Sequence, residues 1–183
     1  MPELPEVEII KQSLDKNIKF EKIKKIVVRN RSLRFKVPKN FEIILKNKTI
    51  NKISRKSKYL ILHLEDIYCV IHLGMSGTIH LINRKNFNKN TNTSFYGYSS
   101  LPLKHNHIEF FLKKYRLIYN DPRRFGFFKI FKKKKLLDFF NNIGPEPLNN
   151  KFNINYISNY FINKKKNIKN FLLDQKFVSG IGN

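Results

Sequence analysis

Residues 59–82 read YLILHLEDIYCVIHLGMSGTIHLI, and the prediction of the fold class starts from this stretch. It contains three short runs rich in aliphatic and aromatic residues, at 59–64, 67–73 and 78–82. The turn-forming pair Glu65-Asp66 and the segment GMSG at 74–77 separate them. Short apolar runs with tight joints are typical of antiparallel strands. We therefore predict three consecutive strands, with a hairpin tip at 74–77.

The same pattern continues on both sides of this stretch. Further strands are predicted at 22–28, 50–55, 107–112, 116–119 and 126–131. Nearer the start, apolar residues recur every three or four positions and predict one amphipathic helix with Pro5 in its first turn: Val7, Ile10, Leu14 and Ile18. The predicted fold class is α+β, with the strands forming an antiparallel sandwich or barrel.

Two segments interrupt this pattern. Residues 84–104 are rich in Asn, Ser and Lys without a period, which favours a mobile loop. Residues 144–147, GPEP, form a stiff joint after a short helix predicted at 136–141. We place a first domain at 1–143, a linker at 144–150 and a second domain at 151–183. Two helical stripes are predicted in the second domain: Ile154, Ile157, Tyr160 and Phe161, then Ile168, Phe171 and Leu172.

Length and composition exclude several classes of protein. The chain has 183 residues, of which 41% are hydrophobic, as in a folded domain. No apolar run approaches the ~20 residues of a membrane span. Three glutamates among the first eight residues argue against a secretory signal, so a cytoplasmic protein is expected. The single cysteine, Cys69, excludes a cysteine-rich zinc site, and no metal is expected.

The net charge predicts a polyanionic partner. There are 37 Lys and Arg against 13 Asp and Glu, a balance of +24. The alternative is codon drift in an AT-rich genome, because 29 of the 37 are lysines and the chain has 23 asparagines. Drift does not explain why Arg123 and Arg124 stand together between a proline and an aromatic residue. Charge alone favours nucleic acid only modestly.

The first eight residues, MPELPEVE, carry three of the eight glutamates. Acids in a first turn complement the helix dipole, which accounts for Glu6 and Glu8. It does not account for Pro2. Removal of Met1 before this small residue leaves a secondary amine. An α-amino group titrates near 7.7 to 8.0, against about 10.4 for lysine, so it is a nucleophile at neutral pH. Glu3 then lies beside it, suited to proton transfer.

Basic and apolar side chains adjoin each other at three further places in the sequence. Lys58 precedes an apolar strand, where a solvated lysine is the usual outcome. Met75 and Phe125 each occupy a tip, and Arg123 and Arg124 adjoin the second one. Basic side chains beside an exposed apolar wedge suit insertion into a base stack. The alternative is that Met75 and Phe125 fold back into the core.

Together these residues resemble the formamidopyrimidine-DNA glycosylases, which excise oxidised purines. Collinear matches run through nearly the whole chain: residues 1–8, 57–60, 72–77, 104–107, 121–126, 144–148, 164–169, 172–176 and 180–183. Leu4 and Phe125 favour this branch over the related endonuclease VIII branch. The resemblance implies a two-layer antiparallel β-sandwich with an N-terminal helix, followed by the first helices of an incomplete helix-two-turn-helix domain.

The resemblance also implies a bifunctional glycosylase and abasic-site lyase. By motif, Pro2 attacks C1′ of the damaged nucleotide and forms a Schiff base, and β- then δ-elimination cleaves the strand. Glu3 matches the acid that assists ring opening, Lys58 a residue of the protonation and cleavage steps, and Glu6 a further active-site carboxylate. Met75, Arg123 and Phe125 match the side chains that replace the flipped nucleotide. His105, Arg123, Lys164 and Asn183 match positions that hold the DNA backbone, and the matched motifs add His72 and Lys169.

The chain departs from the family pattern after residue 183. Relatives continue into a recognition helix and a four-cysteine zinc finger, so we expect a truncated chain or one part of a split gene, with no cofactor of its own. The expected partner is double-stranded DNA with oxidised purines or abasic sites, bound by a monomer, together with a separate C-terminal fragment. We expect weak activity of the isolated chain. The alternatives are a non-catalytic basic DNA-binding remnant and an inert fragment.

Overall fold

The computed structural model describes residues 2–84, 89–92 and 104–182, with the backbone alone for 89–92. The chain divides into two compact units, Met1–Lys133 and Lys134–Asn183. The predicted boundary at 144 stays a prediction. Of the helices in the described ranges, none has both the length and the apolar composition needed to cross a bilayer.

The first unit opens with helix α1 (Leu4–Ile18). The four residues that predicted it, Val7, Ile10, Leu14 and Ile18, are all fully buried. Burying each such side chain stabilises the fold by about 1.5–3 kcal/mol. The helix packs on the strands at Lys52–Lys56 and Tyr59–Leu64, and the Asp15 carboxylate accepts a hydrogen bond from the Ile53 backbone N–H at 3.1 Å. The helix is thus fixed on one sheet.

The described strands form two antiparallel sheets. Their bounds are β1 (Lys25–Val28), β2 (Lys52–Lys56), β3 (Tyr59–Leu64), β4 (Ile67–His72), β5 (Thr78–Asn83), β6 (Lys89–Asn92), β7 (Asn106–Phe111), β8 (Tyr115–Asn120) and β9 (Phe127–Lys132). The first sheet has the order β1-β7-β8-β5-β6 and the second the order β2-β3-β4-β9. Aromatic rings join them: Phe128 of the second sheet lies 5.0 Å from Tyr119 and 6.2 Å from Phe110 of the first, centroid to centroid. The sandwich alternative is therefore confirmed over the barrel.

Two elements of this unit were not predicted. Helix α2 (Phe41–Leu45) buries Phe41 and Leu45 completely, but its five residues are too few to show a helical period. Strand β6 lies within the segment 84–104 and pairs with β5. The rest of that segment, residues 85–88 and 93–103, lies outside the described residues, so the expected mobile loop stays a prediction.

The second unit contains helices α3 (Lys133–Phe140), which begins at the last residue of the first unit, α4 (Ile154–Phe161) and α5 (Ile168–Leu172). A small apolar cluster forms around the buried Phe171, Phe177 and Val178, with Tyr156 and Tyr160 packed against it. The Tyr156 hydroxyl donates to the Phe177 carbonyl at 2.8 Å. Aromatic side chains thus supply most of the core of this unit.

Candidate nucleic-acid interface and catalytic centre

The N-terminal corner, defined as residues 2–8 with 55–58, brings the first predicted catalytic residues together. Pro2 is buried and Glu3 is the N-cap of α1. The Glu6 carboxylate accepts a hydrogen bond from the Glu3 backbone N–H at 3.0 Å, as in a capping box. Glu6 therefore fixes the backbone of Glu3, directly after Pro2.

Lys58 joins this corner from the β2–β3 hairpin. Ser57 and Lys58 form its two-residue loop, and Ser57 has a φ of +53°, the positive φ that such tight loops use. Lys58 is only 7% exposed, and its Nζ forms an ion pair with Glu3 Oε2. The solvated strand-end lysine is therefore the wrong interpretation. Because a buried lysine is costly for the fold, one held against a glutamate is a candidate functional group.

Arg55 supports this pair, and the sequence analysis missed it. Its Nε donates to Glu8 Oε2 at 2.7 Å and its guanidinium donates to the Ser57 carbonyl at 2.8 Å. Burial raises the pKa of Glu8, but the hydrogen bonds from Arg55, Gln12 and Lys11 outweigh burial and leave that pKa below its usual value. The hairpin loop is thus tied to α1 one residue before Lys58. The sequence feature that could have pointed to Arg55 is its residue type, because arginine is rare in this lysine-rich chain and this one lies three residues before Lys58.

The two predicted hairpin tips are instead crossovers between the sheets. Residues 73–77 lead from β4 in the second sheet to β5 in the first, and residues 121–126 lead from β8 back to β9. Because β4 pairs with β9 and β5 with β8, the two segments run side by side, and we call them the crossover pair. A hairpin within one sheet and a crossover between two sheets can both be short joints that contain glycine. Their sequences therefore do not distinguish them, which is why the hairpins were wrongly predicted.

The crossover pair exposes apolar side chains. Met75 is 46% exposed and Phe125 is 42% exposed, so neither folds back into the core. The Arg123 guanidinium lies 4.6 Å from the centre of the Phe125 ring, in a cation–π contact. The three predicted wedge residues thus lie together on one surface.

A cavity of about 640 Å³ opens beside this wedge and is lined by Arg34, His72, Met75, Arg123 and Phe125, among others. His72 stacks on Phe127 at 5.4 Å and its Nδ1 accepts the Gly74 backbone N–H at 3.1 Å, so the ring proton is on Nε2. Burial, together with the charges of Arg34 and Lys58, lowers the pKa of His72 to about 4. His72 is therefore a neutral hydrogen-bond donor at neutral pH.

His72 also joins the two regions. Tyr59, directly after Lys58, is the cross-strand partner of His72, and their rings lie 4.9 Å apart. The N-terminal corner and the crossover pair are therefore neighbours in the first unit. His105 has a φ of +68° and an exposed side chain, and its carbonyl accepts the Asp121 N–H at 3.1 Å. This contact places His105 next to the start of the second crossover.

The remaining predicted DNA-binding residues belong to the second unit. Lys164 Nζ lies 3.1 Å from the centre of the Tyr160 ring. Lys169 is exposed on α5, which begins where the Asn167 side chain accepts the Lys169 N–H at 2.9 Å. Asn183 lies outside the described residues. Within the described ranges no three His, Cys, Asp or Glu side chains form a group able to hold a metal ion.

Comparison with known proteins gives one consistent family. The model of the formamidopyrimidine-DNA glycosylase N-terminal domain matches residues 1–128, and the model of the H2TH domain of the same enzyme matches residues 143–183. The formamidopyrimidine-DNA glycosylase of Wolbachia pipientis subsp. Culex pipiens is 40% identical over 185 residues, and that of Agrobacterium fabrum 37% over 190. Both alignments cover all of this chain, but 63% and 64% of the relatives. The chain thus spans less than two thirds of their length.

Solved structures of similar proteins indicate the same family. The Lactococcus lactis enzyme in complex with DNA containing an abasic site superposes with a TM-score of 0.85 at 31% identity, covering 100% of this chain and 64% of that one. A variant of the same enzyme in complex with Fapy-dG-containing DNA gives a TM-score of 0.85, with 63% of its chain covered. These comparisons confirm both the resemblance seen in the sequence motifs and the α+β fold class.

Proposed function

The chain belongs to the formamidopyrimidine-DNA glycosylase family, and from this membership we propose that it is a DNA repair enzyme that excises oxidised purines and cleaves the strand at the resulting site. The substrates are 8-oxoguanine and formamidopyrimidines in double-stranded DNA. One observation carries the proposal: the buried Lys58 pairs with Glu3, the residue that follows Pro2, in the same unit as the wedge of Met75, Arg123 and Phe125.

The nucleophile of the proposed reaction is the Pro2 nitrogen, which becomes a free secondary amine once Met1 is removed. Its lone pair attacks C1′ of the damaged nucleotide, and the C1′–N bond electrons leave with the base. Opening of the sugar ring then gives a Schiff base between Pro2 and C1′. The iminium acidifies the neighbouring sugar C–H, so loss of that proton expels the 3′ phosphate, and a second elimination expels the 5′ phosphate.

Glu3 and Lys58 move the protons of this sequence. The Glu3 carboxylate takes the N–H proton that Pro2 loses after its attack and donates it to the ring oxygen as the sugar opens, and Lys58 serves the protonation and strand-cleavage steps. Glu6 acts through Glu3, because it accepts the Glu3 N–H and so orients the residue that follows the nucleophile. The ion pair with Lys58 restrains the carboxylate of Glu3, the residue that follows Pro2.

The crossover pair opens the DNA stack. Extruding a nucleotide costs a few kcal/mol and is cheaper at a damaged pair. Met75 and Phe125 fill the gap, while Arg123 and the neutral Nε2–H of His72 bind the strand. His105, Lys164, Lys169 and Asn183 hold further phosphates. The high net positive charge adds a salt-dependent attraction to DNA.

No step of this reaction uses a metal. The sequence has one cysteine, Cys69, which is buried in the sandwich core, so these residues do not fit the four-thiolate zinc site that the family resemblance implies. The enzyme acts in the cytoplasm, at the nucleoid.

Borohydride trapping tests the proposal. The 183-residue chain is incubated with an 8-oxoguanine duplex and sodium borohydride, which reduces the Schiff base to a stable protein–DNA adduct. We expect an adduct with the wild-type chain and none with Pro2→Leu, whose larger second residue retains Met1, at equal DNA binding. Intact mass verifies that Met1 is absent from the wild-type protein. Binding without any adduct would favour the non-catalytic DNA-binding remnant.

A further inference from the structure

Asp121 is a charged residue in the first unit to which the proposed reaction assigns no role. It is 0% exposed and begins the second crossover. Its carboxylate accepts three hydrogen bonds: from the Ser76 hydroxyl at 2.5 Å, from the Tyr119 hydroxyl at 2.8 Å and from the Gly126 N–H at 2.9 Å. A buried carboxylate is costly unless such donors satisfy it, so its presence calls for an explanation.

Two of the three donors come from the crossovers, one from each. Ser76 follows Met75 in the first, and Gly126 follows Phe125 in the second. The Ser76 oxygen in turn accepts the Arg123 backbone N–H at 3.2 Å. Burial and the neighbouring Asp121 raise the pKa of Tyr119, so its hydroxyl remains a donor. Each wedge residue is therefore itself held by this network or adjoins a residue that is.

Backbone packing leaves little freedom for any other arrangement. Gly74 has a φ of +71°, and a Cβ placed on it would lie 2.4 Å from the Phe125 carbonyl carbon. A Cβ on Gly126 would lie 1.8 Å from the Tyr119 hydroxyl oxygen. The two crossovers thus approach at backbone distance, and the Asp121 carboxylate fixes their relative position.

We infer that Asp121 is a positioning residue for DNA distortion: it locks the two crossovers into one rigid wedge, so that Met75 and Phe125 enter the base stack together. This inference rests on the proposed function, because it assigns a step within the same DNA-repair reaction. Asp121 governs the opening of the stack, and the Pro2, Glu3 and Lys58 group governs bond cleavage.

The experiment separates unstacking from chemistry. A duplex carries a tetrahydrofuran abasic analogue, which cannot form a Schiff base, with 2-aminopurine beside it. Stopped-flow fluorescence then reports unstacking alone. Ser76→Ala removes the link to the first crossover and leaves the Tyr119 and Gly126 hydrogen bonds in place. The matched control is Ser54→Ala, which removes the contact between Ser54 Oγ and His63 Nε2 on the second sheet.

With Ser76→Ala we expect unstacking about tenfold slower at unchanged DNA affinity, since a hydrogen bond to a charged group is lost. The same loss lowers the melting temperature by about 2–8 °C. Ser54→Ala unstacks the duplex as the wild type does. Asp121→Asn weakens all three hydrogen bonds and slows unstacking more than Ser76→Ala does. If Asp121→Asn does not fold, the result with Ser76→Ala tests the inference by itself. Normal unstacking with Ser76→Ala, or no unstacking by the wild-type chain, overturns the inference. A loss of affinity and melting temperature in the same proportion indicates a merely structural role and also overturns it.

Failure of the proposed function has a different signature. A wild-type chain that unstacks the analogue duplex but forms no borohydride adduct on 8-oxoguanine DNA contradicts the glycosylase reaction and leaves the role of Asp121 measurable. A chain that forms the adduct while Ser76→Ala unstacks normally contradicts only the role of Asp121.

Discussion

The N-terminal corner and the crossover pair are neighbours, yet they are held by opposite means. In the corner, long charged side chains meet across elements far apart in sequence: Glu3 with Lys58, and Glu8 with Arg55. In the crossover pair, a fully buried Asp121 is bound by uncharged donors, and glycines allow the backbones to touch. The first arrangement pairs ionisable groups at the residue that follows Pro2, and the second fixes the relative position of the two crossovers. In the proposed reaction, proton transfer and stack opening thus place different demands on the same sandwich.

The largest effect is expected when the acid of the corner, Glu3, is removed. Glu3→Gln keeps the size of the side chain but removes its charge and its proton. We expect strand cleavage of abasic duplex to fall at least ~100-fold in single-turnover assays, because positioned acid–base groups contribute that much. DNA affinity, measured by filter binding, stays within about twofold. The control Glu42→Gln breaks the Arg31 pair in the same unit and leaves cleavage unchanged.

Acid pH probes the residue that joins the two regions. Because the folded protein lowers the pKa of His72 to about 4, protonation favours the unfolded chain, and stability falls as the pH drops below about 6.5. Between pH 7 and pH 4.5 we expect the wild type to lose about 2 kcal/mol more unfolding free energy than His72→Gln. Urea unfolding at both pH values measures this difference. Equal losses in the two proteins would contradict a neutral, buried His72.

Truncating the wedge sharpens the distinction between shape and chemistry. Phe125→Ala removes one exposed ring, so folding stability changes little. Because aromatic stacking is worth about 1–3 kcal/mol per base, cleavage of the duplex falls about tenfold. Cleavage of a single-stranded abasic oligonucleotide, which has no stack to open, stays at the wild-type rate. Phe20→Ala, which removes a ring that is 70% exposed, is the matched control.

The smallest effect is expected for the second ion pair of the corner. A double-mutant cycle of Glu8→Gln and Arg55→Met isolates their coupling, for which we expect about 1 kcal/mol in urea unfolding, since Glu8 is partly solvated. Cleavage falls several-fold with Arg55→Met alone, because the Ser57 carbonyl loses its donor and Lys58 is less firmly placed. A coupling near zero would mean that the hairpin is held without this pair.

The sequence predicted what repeats locally and missed what depends on tertiary structure. Helix α1 was predicted because its four apolar residues recur every three or four positions. The strands were predicted because turn-forming residues separate short apolar runs. The pairing of Glu3 with Lys58 spans 55 positions, and no local pattern reveals it. The crossovers were taken for hairpins because the choice of sheet is made by strand partners elsewhere in the chain.

Charge was harder to interpret than periodicity. Lysines are so abundant that a buried one cannot be told from a solvated one by its neighbours. The eight arginines are more informative. Four of them, Arg29, Arg31, Arg55 and Arg116, form ion pairs with carboxylates, and three others, Arg34, Arg123 and Arg124, line the cavity beside the wedge. Seven of the eight arginines thus form an ion pair or line this cavity, so an arginine is more informative here than a lysine.

Cys69 has a practical consequence. It is the single thiol of the chain, it is fully buried in strand β4, and burial raises its pKa. Thiol-directed reagents therefore leave the native protein untouched. A cysteine introduced at position 75 would be the sole reactive sulfhydryl, so a fluorophore or a disulfide tether to an oligonucleotide could be attached there without first removing any natural residue.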